Sequence, residues 1–88
     1  MANNSKIDSW GIKRWKCDGL LHRVGGPAMV FDYGSKEWWQ HGKLHRLDGP
    51  AIHNADGTRY WLIDDVQMTE TEFNNHPLVI MHRFVNGE

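Results

Sequence analysis

Cysteine is nearly absent. Cys17 is the single one in 88 residues, so no internal disulfide can form and a disulfide-stapled scaffold is excluded. An excess of either charge is also missing: 10 Lys and Arg stand against 11 Asp and Glu, a formal net of −1. A module that tracks nucleic-acid phosphates carries surplus positive charge, so nucleic acid is disfavoured as a partner; a strongly acidic DNA mimic is disfavoured equally. Long apolar runs are lacking too. None is longer than residues 78–81, far short of the roughly 20 residues that cross a bilayer, so no transmembrane segment is expected. Residues 1–10 lack the basic-then-apolar pattern of a signal peptide. A cytoplasmic protein is the expectation, with 1–88 forming a single domain.

Tryptophan, by contrast, is abundant. Five occur in the chain, while mean hydropathy is −0.63. Each buried aromatic removes about 150–250 Å² from water, and a domain this small buries only about 60% of its unfolded surface. The expectation is a thin core that depends on large flat side chains.

An internal repeat organises the chain. Residues 15–37 and 38–60 align without a gap at a period of 23, with nine identical positions. They are Trp15/Trp38, Gly19/Gly42, Leu21/Leu44, His22/His45, Arg23/Arg46, Gly26/Gly49, Pro27/Pro50, Ala28/Ala51 and Gly34/Gly57. A partial copy begins at Trp61, and a fragment at Gly11 precedes the first. Self-similarity at such a period marks a repeat architecture, in which neighbours complete each other's core.

The unit reads as β structure. Asp56-Gly57 signals a hairpin turn of type I′, because glycine accepts positive φ freely. Asp18-Gly19 and His41-Gly42 mark a second turn in each copy. Gly26-Pro27 and Gly49-Pro50 mark a third break, since proline has no N–H to give a central strand. The segments between breaks are too short for helices. A mainly β fold follows: a meander of short antiparallel hairpins, about two strands per repeat, over residues 11–65. Trp15, Trp38 and Trp61 then fall at equivalent points, as a ladder along one face.

Beyond residue 65 the pattern changes. Thr69 and Glu72 fit a capping box that opens a short helix. Pro77 suits the first turn of another. Residues 78–85 read as a helix with Leu78, Met81 and Val85 on one side, or as a strand through Val79-Ile80. The helix is the preferred reading, as a C-terminal cap over the open end of the array.

The order Glu37-Trp38-x-x-x-Gly42-Lys43-x-His45-x-x-x-Gly49, followed by Asp56-Gly57-x-x-Tyr60, resembles the MORN repeat (membrane occupation and recognition nexus). The stretch Trp38…Gly42-x-Leu44-His45-Arg46-x-Asp48-Gly49-Pro50-Ala51 is closer to a divergent variant of it, found in small proteins of tailed phages and giant viruses. Residues 11–65 carry the likeness, and 66–73 resemble that variant's usual ending. Gly25 departs from it, standing where the second copy has Asp48. The resemblance implies a repetitive β sheet used for contacts with proteins or lipid headgroups, with no catalytic residues of its own.

The paired His22-Arg23 and His45-Arg46 are the sharpest chemical feature. Two guanidinium forks one period apart suit a phosphate or carboxylate. The structural alternative packs each histidine on a neighbour and pairs each arginine with an acid or a turn carbonyl; repetition favours it. The kinase-like order His45-Arg46-x-Asp48 is excluded by chain length. Zinc is not expected: His41 and His45 have a suitable spacing, but Cys17 has no partner cysteine. The repeat position of Cys17 is occupied by Gln40 and Ile63 in the other copies, which suits a packing or surface position and not a nucleophile. Trp38-Trp39 must point to opposite faces of a strand. Trp39 therefore meets the C-terminal segment or stands as an exposed anchor. Phe31 and Tyr33 accompany it as recognition candidates.

The expected function is a non-enzymatic protein-interaction module without a cofactor. The family likeness suggests a phage or viral accessory protein that binds and inhibits a host factor, such as a CRISPR–Cas or other defence component. The expected contact residues are His22, Arg23, Phe31, Tyr33, Trp39, His45, Arg46 and Asp48. The alternative is binding of a small anion, a nucleotide or a phosphoinositide headgroup by the His-Arg face. A homodimer would also bury open edges and exposed tryptophan.

Overall fold

The computed structural model describes residues 4–87. One unit of strand, loop, strand, turn and strand occurs three times. The first copy holds β1 (Asn4–Ile7), β2 (Lys13–Cys17) and β3 (Leu20–Leu21). The second holds β4 (Met29–Val30), β5 (Lys36–Glu37), β6 (Trp39–Gln40) and β7 (Lys43–Leu44). The third holds β8 (Ile52–His53), β9 (Arg59–Ile63) and β10 (Val66–Met68). The middle copy counts one strand more because its central strand is interrupted at Trp38. The unit thus has three strands where the sequence suggested about two, and β1, which lies before the 11–65 expected for the repeats, pairs with β2.

All pairing is antiparallel. One sheet runs β1-β2-β4-β5-β8-β9-β10 with β3 joined to β2, and β6-β7 form a separate pair. The fold is therefore mainly β, a meander of hairpins closed by short C-terminal helices.

Two kinds of turn alternate, and the type I′ turn is not at Asp56-Gly57, where the sequence suggested it. The type I′ signature, positive φ at both loop residues, occurs at Asp18-Gly19, His41-Gly42 and Asp64-Asp65. Each is a two-residue loop between directly paired strands, as with Cys17 opposite Leu20. At Asp56-Gly57 only Gly57 has positive φ. That segment is a longer loop in which Asn54 N donates to Thr58 O and Gly57 N to Asn54 O, both at 2.9 Å. The same two bonds recur from Phe31 to Ser35 and from Asp8 to Ile12. This is the pattern of a type I turn followed by a left-handed glycine, here Gly11, Gly34 or Gly57.

Copies are joined by bonds that also keep the period. Gly42 N donates to Leu21 O and Asp65 N to Leu44 O, each at 2.9 Å. Trp15 N donates to Ala28 O at 2.8 Å and Trp38 N to Ala51 O at 2.7 Å. Ala28 and Ala51 are completely buried, so the approach of neighbouring strands leaves room for a methyl group and little more.

The third copy ends in α1 (Glu70–Asn74) and α2 (Pro77–Asn86). Thr69 Oγ1 accepts from Glu72 N at 3.1 Å, and Glu72 Oε1 accepts from Thr69 N at 2.8 Å. This is the capping box read from the sequence. Pro77 opens α2, and Gly87, with φ 73°, closes it. Ile63, Phe73 and Val79 form the apolar core, with Leu47, Trp61 and Met68 packed around it.

The orientation of α2 corrects the sequence reading. Val79 points inward at 0% exposure, whereas Leu78, Met81 and Val85 are 48%, 60% and 71% exposed. The face expected to cover the array is the face turned away from it. Phe73 and Val79 are the helix residues that pack into the apolar cluster with Ile63.

Candidate functional site

The His-Arg pairs occupy equivalent places and make equivalent contacts. Arg23 lies over the Trp15 ring, Cζ 4.0 Å from the centroid, and Arg46 lies over Trp38 at 3.9 Å. Such a guanidinium is held electrostatically by the ring face, at about 0.5–2 kcal/mol. Its other side is covered by glycine: a β-carbon at Gly26 would sit 2.9 Å from Arg23 Cζ, and one at Gly49 2.7 Å from Arg46 Cζ. A methyl group there would require the guanidinium to shift. Each arginine then donates from Nη1 to a proline carbonyl, Arg23 to Pro27 at 3.2 Å and Arg46 to Pro50 at 3.0 Å. The repeated Trp, Arg, Gly and Pro are one stacked assembly. In the first two copies the equivalent tryptophans, Trp15 and Trp38, each carry a guanidinium on the ring face.

The histidines work between copies. His22 Nδ1 accepts from His41 N at 3.0 Å, and His45 Nδ1 accepts from Asp64 N at 3.2 Å. In each case the histidine of one copy holds the type I′ turn of the next. The His22 and His41 rings also meet, at 4.4 Å.

A groove of about 460 Å³ runs along the two arginines. Of the residues singled out from sequence, Arg23, His45, Arg46 and Asp48 line it, together with Val24, Trp38, Leu47 and His82. His22, Phe31, Tyr33 and Trp39 lie outside that lining. Phe31 and Tyr33 sit in the β4–β5 loop with their rings 5.4 Å apart. Trp39 is half-buried and donates from Nε1 to Glu37 Oε1 at 2.9 Å. It is neither a free anchor nor a part of the core around Phe73.

The groove is electrostatically uneven. Arg46 Nε donates to Asp48 Oδ1 at 2.7 Å. Arg23 has no acidic partner among the described residues, because Gly25 stands in the place of Asp48.

Other carboxylates are fixed in turns and caps. Asp8 is held below the usual carboxylate range, chiefly by the Arg14 side chain and then by the Ile12 amide. Asp56 is lowered by the Thr58 hydroxyl and amide, and Glu72 by the Thr69 amide and hydroxyl. No group of three or more His, Cys, Asp or Glu that could hold a metal occurs among the described residues. No helix among them is long and apolar enough to cross a membrane.

Two surfaces escaped the sequence reading. Trp10 is 78% exposed and stands one period before Tyr33, itself 66% exposed. Carrying the period back from Tyr33 would have found it. The second is the outward side of α2, where Pro77, Ile80, Met81 and Phe84 line one shallow apolar depression. No family model, curated protein or solved structure matches the chain.

Proposed function

We propose that the chain is a non-enzymatic protein-interaction module that docks its partner on the outward face of α2. The observation that carries this reading is the exposure of Ile80, Met81 and Phe84, at 53%, 60% and 82%, on one face. Leu78 and Val85 extend the same apolar surface. Phe84 alone presents most of the ~150–250 Å² that an aromatic can bury. Contiguous apolar surface of this kind, on a chain with so few aliphatics, marks an interaction site. Aromatic side chains are also the usual anchors of protein interfaces. The MORN-like resemblance supplies the setting: a phage or viral accessory protein in the host cytoplasm, inhibiting a host protein such as a defence component.

The test is affinity capture from host lysate with wild type and a Met81→Lys/Phe84→Lys variant, each checked for an unchanged melting temperature. One stoichiometric host protein, captured by wild type and lost by the variant, is the expected result. Equal capture by both forms overturns the assignment to α2. Sedimentation of the purified chain reads out self-association through the same face.

A further inference from the structure

The two copies differ at one position that bears on binding, and the second copy shows what the first lacks. Arg46 is stacked on Trp38, bonded to Pro50 O, and satisfied at Nε by the Asp48 carboxylate, 2.7 Å away. Arg23 repeats the first two contacts on Trp15 and Pro27 O. It has no counterpart of the third. Gly25 replaces the aspartate and passes through the left-handed region at φ +86°, and a β-carbon there would meet no atom within 4 Å. The space beside Arg23 is open, and its guanidinium is pre-positioned between a ring and Gly26.

We propose that Arg23 is a receptor for a carboxylate on an apolar body, with the Arg46–Asp48 pair as the internal copy of the bound state. A guanidinium fork matches a carboxylate geometrically, and holding the fork in place reduces the freedom lost on binding. The groove decides the rest of the ligand. Val24, Pro27, Leu47 and Trp38 give it apolar walls. The Asp48 side chain, 52% exposed, also lines the groove and disfavours a dianion more than a single negative charge. A single carboxylate with an adjoining apolar group therefore fits better than a phosphate. A free organic acid and a glutamate in an apolar peptide share this chemistry. The inference rests on the difference between copies and is independent of the α2 face.

The experiment follows the arginine Nε–H resonances of the folded protein by NMR during titration. The probes are phenylacetate, acetyl-Leu-Glu-Leu-amide, its glutamine counterpart and inorganic phosphate, all at matched ionic strength. The expected result is a saturable shift of Arg23 with both carboxylates and none with the glutamine peptide, while Arg46 stays in place. Tenfold tighter binding of the peptide identifies a protein side chain as the source; tighter binding of phenylacetate identifies a free acid. Asp48→Asn removes the internal carboxylate and should make Arg46 respond as well. Arg23→Lys keeps the charge without the fork and should weaken binding at least tenfold. Four results overturn the proposal: no saturable shift with either carboxylate, equal response of Arg23 and Arg46 in wild type, an Asp48→Asn variant whose Arg46 stays silent, or stronger binding of phosphate.

Discussion

In the first two copies the tryptophan lies under an arginine that reaches across from the following His-Arg pair. In the third copy the sequence puts Met68 and Thr69 where that pair would be, and Phe73 where the proline would be. Trp61 there packs beside the cluster of Ile63, Phe73 and Val79, with Arg59 over its ring at 5.5 Å. One scaffold is therefore finished in two ways. The stacked arginine leaves a polar, hydrogen-bonded surface on which a further copy can sit. The phenylalanine and valine make a dry core, and the capped helix ends the series. The difference teaches that the repeats are held mainly by directional contacts, whereas hydrophobic burial is concentrated at one end.

Breaking the dry end should cost most. Phe73→Ala removes a side chain that is 1% exposed and is expected to destabilise the protein by about 3–5 kcal/mol. Urea unfolding measures it, and a loss below ~1 kcal/mol would mean that the core of the cap is dispensable. Gly49→Ala, at the stacked arginine, requires the Arg46 guanidinium to move from its place against Trp38 and Pro50 O. The loss of one ring contact and one hydrogen bond is expected to cost about 1–3 kcal/mol. Gly26→Ala should behave alike, and denaturant curves of the two variants will show whether the assemblies are equivalent. His45→Ala removes the acceptor for Asp64 N and is expected to cost about 1 kcal/mol in the same assay, as is His22→Ala.

Hydrogen exchange sharpens the contrast without mutation. Amides of β9, paired with β8 on one side and β10 on the other, should be protected most, and those of the edge strand β1 least. Uniform protection would show that the array opens as one unit. The smallest effect is that of acid. Asp8, Asp56 and Glu72 have depressed pKa values when folded. Their contribution is complete above the usual carboxylate range and is lost as pH falls through the depressed values. Melting temperature should therefore drop below about pH 4, and Glu72→Gln should flatten the part of that drop due to the cap.

The periodic part of this fold was largely legible in the sequence. Glycine, proline and aspartate at turns carry local signals, and identity at a period of 23 fixes which turns are alike. The turn type at Asp56-Gly57 was not legible, because Asp-Gly suits both a two-residue type I′ loop and the end of a type I turn. Asp64-Asp65, without any glycine, gave no signal for its positive φ. The face of α2 failed for a different reason. Leu78, Val79, Ile80 and Met81 are all apolar, so periodicity cannot say which of them docks. Packing of Val79 with Ile63 and Phe73 decides it, and the sequence does not show that contact. The His-Arg pairs were legible as a feature, while their division between internal work and an open groove depended on Gly25.

The histidine that grips the next turn also makes the array grow from the inside. His22 needs a turn amide from a following copy, and His45 finds one in copy three. A duplicated middle unit would give its turn amide to the same histidine acceptor on one side and offer its own histidine Nδ1 as the acceptor on the other. The chain can therefore lengthen by whole units without redesigning either end, and each added unit would bring its own arginine, its own groove and its own choice of aspartate or glycine beside it.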